Sequence, residues 1–358
     1  MRRHFLWLLC LLAASCQRSQ TADTVLAEEA LPGADISEFG PSTLSSYRFF
    51  TGELRKLAPS KGVFPYEINS ALFSDYAFKK RFIRLPSGKQ MKYHATETLD
   101  FPDGTILIKN FYYPADFRKP EQERRILETR LLILDKDSWK PLVYIWNEEQ
   151  TEAHLEIAGR NLSVKWIHYD GGERSIQYAV PTLNQCKGCH LKGDNVTPIG
   201  PSARQLNRIG SVIGKNQLVH WKEDGILANL PDISSVPQLA AYDDETRDVA
   251  SRARAWLEIN CAHCHREDGP AKNSGLILTA NENSVLPLGI GKAPVAAGKG
   301  SGDRSFDIVP GRPDESILLY RIESVDPGVM MPEVGRSIVH TEGVTLVRKW
   351  IEGLSKTQ

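Results

Sequence analysis

Two short stretches, Cys261-Ala262-His263-Cys264-His265 and Cys186-Lys187-Gly188-Cys189-His190, share the spacing C-x-x-C-H. This spacing is typical of covalent attachment of c-type haem, because two thiols three residues apart can each form a thioether with one porphyrin vinyl group. The histidine that follows then lies under the iron and binds it. We therefore predict two covalently bound haem c groups, held by the four cysteines, with His190 and His265 as axial iron ligands.

Two other interpretations of a paired C-x-x-C spacing stay open. Four thiolates could bind one zinc ion, and a single C-x-x-C could form a redox-active disulfide. Neither function requires a histidine directly after the second cysteine. The chain has this arrangement twice although it contains only nine histidines, which favours haem.

The first sixteen residues have the pattern of an export signal. Arg2 and Arg3 precede an apolar run at 5–12 that is too short to span a bilayer. Residues 12–16 (LAASC) resemble the end of a bacterial lipoprotein signal, in which Cys16 is the lipidation site. An ordinary cleaved signal with an incidental cysteine is the alternative. We expect an exported, periplasmic protein that is anchored to a bacterial membrane through a lipid.

The cysteine count and the charge balance agree with this interpretation. Of six cysteines, Cys10 lies in the signal, Cys16 is the lipidation candidate, and four belong to the haem motifs, so none is left for a disulfide. Lysine and arginine together number 44, as do aspartate and glutamate. This balance gives no reason to expect a nucleic-acid partner.

Composition and periodicity divide the chain into five segments. They are a signal peptide at 1–16, a flexible tether at 17–45, a β-rich domain at 46–184, a first haem segment at 185–240 and a cytochrome c domain with the second haem at 241–358.

The β-rich segment contains short alternating runs separated by turn residues. Hairpins are expected around 135–138, and between the runs 154–157 and 162–166. Short, evenly spaced strands favour an antiparallel, sandwich-like domain.

Residues 241–358 have the order of helices and loops of a small cytochrome c domain. One helix is expected at 243–260, another opens at 310–316, and a last helix begins at Thr341. Trp256 and Trp350 are candidates for the contact where the first and last helices cross. The predicted fold class is an α+β multidomain protein, with the antiparallel β-rich domain followed by an all-α cytochrome c domain.

The sixth iron ligands are less well defined by the sequence. Met331 directly precedes Pro332 in the loop before the last helix, so we predict that it binds the iron of haem 2, with the adjacent Met330 as the alternative. A thioether ligand would raise the reduction potential of this haem. For haem 1 the tentative ligand is His220, on a helix expected at 217–224, and an open iron is the alternative.

The chain resembles a family of exported di-haem c-type cytochromes that are commonly lipoproteins. The resemblance rests on the two C-x-x-C-H motifs and on five stretches spread over most of the mature chain. These stretches are NSALFSDYA at 69–77, residues 101–109, WNEEQ at 146–150, residues 184–190 and residues 252–265. It implies electron carriage and assigns no activity to the β-rich region.

Three functions follow as hypotheses. The first is electron transfer in the cell envelope, in which haem 2 exchanges electrons with a redox protein partner and haem 1 relays them. The second is a peroxidase-like di-haem oxidoreductase, because an open haem 1 iron could bind a small substrate. The third is a docking protein that accepts electrons from an exported dehydrogenase. The sequence favours electron transfer over catalysis, and no catalytic residue is assigned.

Overall fold

The computed structural model describes residues 39–295 and 297–355, which belong to one compact unit. The signal predicted at 1–16, its Cys16 and most of the tether predicted at 17–45 lie outside the described residues. The last part of that tether belongs to the folded body, because Leu44 is 1% exposed and Thr43 pairs with His154 of the sheet. The body therefore begins before residue 46. In the described part of the chain, no helix is both long and apolar enough to cross a membrane.

Fourteen strands lie in the described residues. They are β1 (Phe50–Thr51), β2 (Ala58–Pro59), β3 (Val63–Tyr66), β4 (Phe78–Arg84), β5 (Met91–Lys92), β6 (Ile106–Pro114), β7 (Arg124–Asp135), β8 (Ser138–Trp146), β9 (Ala153–Glu156), β10 (Arg160–Ile167), β11 (Glu173–Val180), β12 (Leu191–Lys192), β13 (Asn195–Val196) and β14 (Leu227–Ala228). Six of them form the central sheet in the order β3-β4-β6-β7-β8-β9, with every pair antiparallel.

One of the expected hairpins forms and the other does not. β7 and β8 are joined at Asp135 and Ser138, as predicted. The runs 154–157 and 162–166 do not pair with each other, because β9 adds to the sheet edge beside β8 while β10 pairs with β11. The chain leaves the sheet at Gly159, whose φ of 76° lies in the left-handed region that glycine adopts without strain.

The two faces of the central sheet are covered differently. Side chains alternate along β6, so Ile106 and Ile108 face one side and Leu107 and Lys109 the other. The first side packs against the N-terminal segment around Leu44. The second side, called the inner face here, is covered by two other parts of the chain. The β10–β11 hairpin covers one end of it, and the segment with the second and third helices covers the other.

The described residues contain six α-helices. They are α1 (Leu183–His190), α2 (Ala203–Leu206), α3 (Gln217–Glu223), α4 (Val249–Cys261), α5 (Ile317–Glu323) and α6 (Thr341–Gly353). α3 and α6 form where the sequence predicts them. α4 begins later than the predicted 243, because Asp248 caps it by accepting a hydrogen bond of 2.8 Å from the backbone N–H of Ser251.

The predicted fold class is wrong in its architecture. The described chain is mostly β-sheet around a six-stranded sheet, and no all-α cytochrome c domain is found in it. Between α4 and α5, the described residues of the range 262–316 contain only short 3-10 turns and irregular chain, apart from isolated β-bridges. This stretch is rich in glycine and proline, which are the poorest helix formers.

The C-terminal helices are also bound to the strand-rich region. The Asp75 carboxylate accepts hydrogen bonds from the backbone N–H groups of Ser337 (2.7 Å) and Ile338 (3.1 Å). The side chain of Asn260 in α4 accepts from the backbone N–H of Phe73 at 2.8 Å. These buried contacts make the helices one layer of a single body.

α4 and α6 pack against each other within this layer. Trp256 and Trp350 are both buried in the cluster that these helices share. The Trp256 indole packs against Gly343, where an added Cβ atom would overlap the indole ring. The helices therefore cross on a glycine.

Candidate haem-binding site

The first C-x-x-C-H motif lies on α1. Thr182 caps this helix: its hydroxyl accepts from the backbone N–H of Gln185 at 3.2 Å, and the Gln185 side chain accepts from the backbone N–H of Thr182 at 2.9 Å. Residues three apart lie on one side of a helix, and Cys186 and Cys189 both line the same cavity. Both thiols are free, and burial raises their pKa values.

His190 ends α1 with one ring nitrogen held in place. The β12–β13 hairpin brings the carbonyl oxygen of Thr197 to 2.7 Å from His190 Nδ1. A carbonyl can only accept, so Nδ1 carries the hydrogen and Nε2 has a free lone pair. Burial lowers the pKa of His190 to about 4, which keeps the ring neutral. This is the protonation state in which an imidazole binds a metal.

The second motif follows the last turn of α4. The backbone N–H groups of Cys264 (3.0 Å) and His265 (2.9 Å) both donate to the carbonyl of Cys261, which folds the motif into a tight turn. Cys261 and Cys264 are free thiols, and burial raises the pKa of each to about 12. The two motifs therefore present the same pair of protonated thiols.

His265 has the same tautomer as His190 but a different partner. Its Nδ1 lies 3.0 Å from Ser274 Oγ, and that hydroxyl donates its only hydrogen to the carbonyl of Ala271 at 2.8 Å. Ser274 Oγ must therefore accept from Nδ1, which leaves Nε2 of His265 with a free lone pair. Burial lowers the pKa of His265 to about 4.

The two motifs lie next to each other. Cys264 Sγ is 3.9 Å from the carbonyl oxygen of Gly188. Glu97 also forms ion pairs of 3.0 Å with Lys192, which follows the first motif, and with Arg266, which follows the second. The chain thus holds both motifs in one region.

A cavity of about 320 Å³ opens beside the first motif. It lies between the inner face of the sheet and the C-terminal helices. The residues of its wall that matter for chemistry are Arg81, Lys109, Arg130, Cys186, Cys189, His190, His263, Met331, Glu333, Arg336 and His340. A cavity of this size, with apolar walls and a few polar groups, is typical of a ligand site.

The structure places the predicted sixth ligands in different surroundings. Met331 lies on the wall of the cavity that contains the first motif, and Met330 is buried beside it. The assignment of Met331 to haem 2 stays a prediction. His220 lies on α3 with its Nε2 3.3 Å from a carboxylate oxygen of Asp224, and it is not part of the cavity wall.

Sequence reasoning missed two histidines of the cavity wall. His340 accepts a hydrogen bond of 2.9 Å on Nδ1 from the indole N–H of Trp256, so its Nε2 carries the hydrogen and is not a free iron ligand. His263 lies inside the second motif and faces the cavity of the first. The only sequence signal for His263 was a histidine at a variable position of C-x-x-C-H.

The residues of both motifs fit a covalently held haem. Each motif has two free thiols and one neutral histidine whose Nε2 is unprotonated. In the described part of the chain, no three His, Cys, Asp or Glu side chains are grouped so as to hold a metal ion. A haem iron takes at most two protein ligands, so a haem site forms no such group.

Comparison with known proteins gives no relatives. No family model matches this chain, and neither a curated protein nor a solved structure is significantly similar to it.

Proposed function

We propose that this chain is a di-haem c-type cytochrome that carries electrons in the cell envelope. The observation that carries the proposal is the repeated site: two free thiols and a histidine whose Nδ1 is bound and whose Nε2 is free. The repetition supports haem because the second ring nitrogen of a metal-binding histidine is normally held by a hydrogen bond.

Each residue type has a separate task in the proposed sites. Each cysteine thiol adds across one vinyl C=C bond, so that a carbon–sulfur bond forms and the thiol hydrogen passes to the neighbouring carbon. His190 and His265 bind iron through Nε2, while Thr197 and Ser274 fix the orientation of the two rings. A bound haem supplies a one-electron couple near its iron.

The closeness of the two motifs supports relay of electrons between them. Electron transfer slows steeply with distance, and here Cys264 of one motif is 3.9 Å from Gly188 of the other. We propose that electrons pass between the haems and leave to a redox protein partner in the cell envelope. Export and lipidation at Cys16 are part of the proposal and rest on the sequence pattern.

The first experiment counts covalent haem. The full chain is produced in a host that matures c-type cytochromes and is analysed by haem staining after denaturation and by the pyridine haemochrome spectrum. We expect two haems per chain, and one in each of the double variants Cys186→Ala/Cys189→Ala and Cys261→Ala/Cys264→Ala. A wild-type chain without covalent haem would refute the proposed function.

The second experiment tests the axial ligands of haem 2. His265→Ala is expected to abolish the normal low-spin spectrum of haem 2, and Met331→Ala to lower its reduction potential and open its iron to external ligands. If the haem 2 potential were unchanged in Met331→Ala but lowered in Met330→Ala, Met330 and not Met331 would be the iron ligand.

The cavity beside His190 supports a second candidate function, a peroxidase-like oxidoreductase with an open haem 1 iron. A small substrate requires a vacant position on the iron, and His220, the tentative sixth ligand of haem 1, does not lie on the cavity wall. The ferric protein is examined by electronic and EPR spectroscopy with and without cyanide. A high-spin fraction that cyanide converts to low spin supports the enzyme, whereas two low-spin haems that ignore cyanide support electron transfer alone.

A further inference from the structure

The inner face of the sheet carries a row of cations next to the first motif. Arg81 on β4, Lys109 on β6 and Arg130 on β7 are directly opposite one another in the antiparallel register. Lys79, two residues before Arg81, lies on the same face. Like charges directly opposite on neighbouring strands destabilise a sheet, so the row needs compensating negative charge.

The described residues compensate this row only in part. Glu128 is the carboxylate in direct contact with it: Glu128 Oε1 is 2.5 Å from Arg130 Nη2. The same oxygen accepts a hydrogen bond of 2.6 Å from the Tyr178 hydroxyl. One nitrogen of the neighbouring guanidinium, Arg81 Nη2, is buried and has no hydrogen-bond partner among the described residues. A buried donor without a partner carries a free-energy cost.

The two lysines show the electrostatic strain of the row. Burial, followed by the charges of Arg81 and Arg130, lowers the pKa of Lys79 well below its usual value, and the charge of Asp75 opposes this only in part. Burial and the charges of Arg81, Lys79 and Arg130 do the same to Lys109. The environment thus disfavours the cations that the sequence places there, and a nearby anion would reverse this effect.

The row and the first motif share one cavity. Arg81, Lys109 and Arg130 line it together with Cys186 and Cys189. A haem attached at these cysteines would therefore share its cavity with the row.

We propose that the row Arg81, Lys109 and Arg130, with Lys79, binds carboxylates, and that these are the two propionates of the haem attached at Cys186 and Cys189. The inference rests on the proposed function and deepens it, because the row would fix the orientation of haem 1 and set its potential. Guanidinium and ammonium groups at a buried site are the natural partners of carboxylates. A free small carboxylate has the same chemistry and is the alternative occupant.

The test compares Lys109→Met with Lys80→Met in the holoprotein. Lys80 lies on the same sheet but faces the opposite side, so it is a matched control. We expect the haem 1 potential to become more negative in Lys109→Met, because a nearby positive charge favours the reduced haem, and to stay unchanged in Lys80→Met. Lys109→Arg keeps the charge and is expected to restore the potential. Arg81→Gln gives the same test if Lys109→Met does not accumulate.

A titration with oxalate separates the two occupants. If propionates fill the row, oxalate leaves the haem 1 spectrum of the wild-type protein unchanged. A saturable spectral change that Lys109→Met abolishes would overturn the propionate assignment and make the row a site for free carboxylates. An unchanged potential in Lys109→Met and Arg81→Gln, with no oxalate effect, would refute the inference entirely. Absence of covalent haem at the first motif would instead refute the proposed function.

Discussion

Replacing Glu128 by glutamine removes one negative charge from the centre of the sheet and keeps the shape of the side chain. Glu128 is fully buried, and its carboxylate accepts hydrogen bonds from both Nε (2.9 Å) and Nη2 (2.5 Å) of Arg130. It also accepts from the Tyr178 hydroxyl at 2.6 Å, which joins the sheet to the β10–β11 hairpin. Glutamine can still accept from Tyr178, so the substitution mainly breaks the ion pair.

The expected loss follows from the burial of the pair. Removing one partner of a buried ion pair costs about 3–5 kcal/mol, because the other charge stays without a partner. The Arg130 side chain keeps 28% of its surface accessible, and it lines the cavity. Water can therefore solvate part of the remaining charge, and we expect Glu128→Gln to lower the free energy of unfolding by about 2–3 kcal/mol.

Urea unfolding at equal haem content measures this loss. The midpoint should fall while the slope m stays unchanged, which would show that stability and not compactness has changed. The control is Glu53→Gln, which breaks the exposed Glu53–Arg55 pair of 2.9 Å and is expected to change stability by at most about 0.5 kcal/mol. Equal midpoints for Glu128→Gln and Glu53→Gln would show that the buried pair does not stabilise the sheet.

Two further predictions concern packing and pH. Gly343→Ala puts a Cβ atom into the Trp256 indole and should cost about 1–3 kcal/mol by urea unfolding, whereas Gly353→Ala in the same helix meets no atom within 4 Å and should not be destabilising. An equal loss in both variants would rule out the indole contact as the cause. Burial alone would raise the pKa of Glu97, but its hydrogen bonds and charge pairing with Arg266 and a neighbouring lysine lower it. The stabilisation by Glu97 should therefore be complete at pH values above its usual pKa of 4.5, and it should be lost as the pH falls through the lower pKa of the folded state. The test compares the unfolding midpoints of wild type and Glu97→Gln. A difference between these midpoints that does not shrink at low pH would contradict the prediction.

Local features of the fold could be predicted from the sequence. The order of residues in C-x-x-C-H identified both motifs, and the structure gives their histidines the same tautomer. α6 begins at Thr341, as its apolar period predicts, and α3 covers Gln217–Glu223 close to the predicted range. These features depend on neighbours within a few turns of helix, and such information is present in a short window of sequence.

Features that depend on distant contacts could not be predicted. β10 could pair with β9 before it, as expected, or with β11 after it, as observed. Residues suited to a turn separate the strands in both cases. The all-α domain was expected because helices follow one another in the sequence. Nothing in that order shows that Asp75 and Asn260 would join these helices to the strands.

The cation row on the inner face of the sheet also could not be predicted from the sequence. Alternating charged residues such as Lys79 and Arg81 are typical of a strand whose polar side faces solvent. Here the register places Arg81 opposite Lys109 and Lys109 opposite Arg130, and the C-terminal helices lie across the cavity on that side. The register and the cover are both long-range properties, so the sequence alone cannot distinguish a solvated face from a charged cavity wall.

The shared cavity gives a physical reason why the two halves of the chain form one body. Its cationic wall comes from the sheet, and its other walls come from α1 and the C-terminal helices that carry Met331 and His340 on their connecting loop. Neither half encloses the cavity without the other. If haem carboxylates neutralise the row, as we propose, attachment at Cys186 and Cys189 removes the repulsion among Arg81, Lys109 and Arg130. A covalent haem stays on the unfolded chain, but its carboxylates meet the row only in the folded protein, so their pairing with the row would stabilise the sheet.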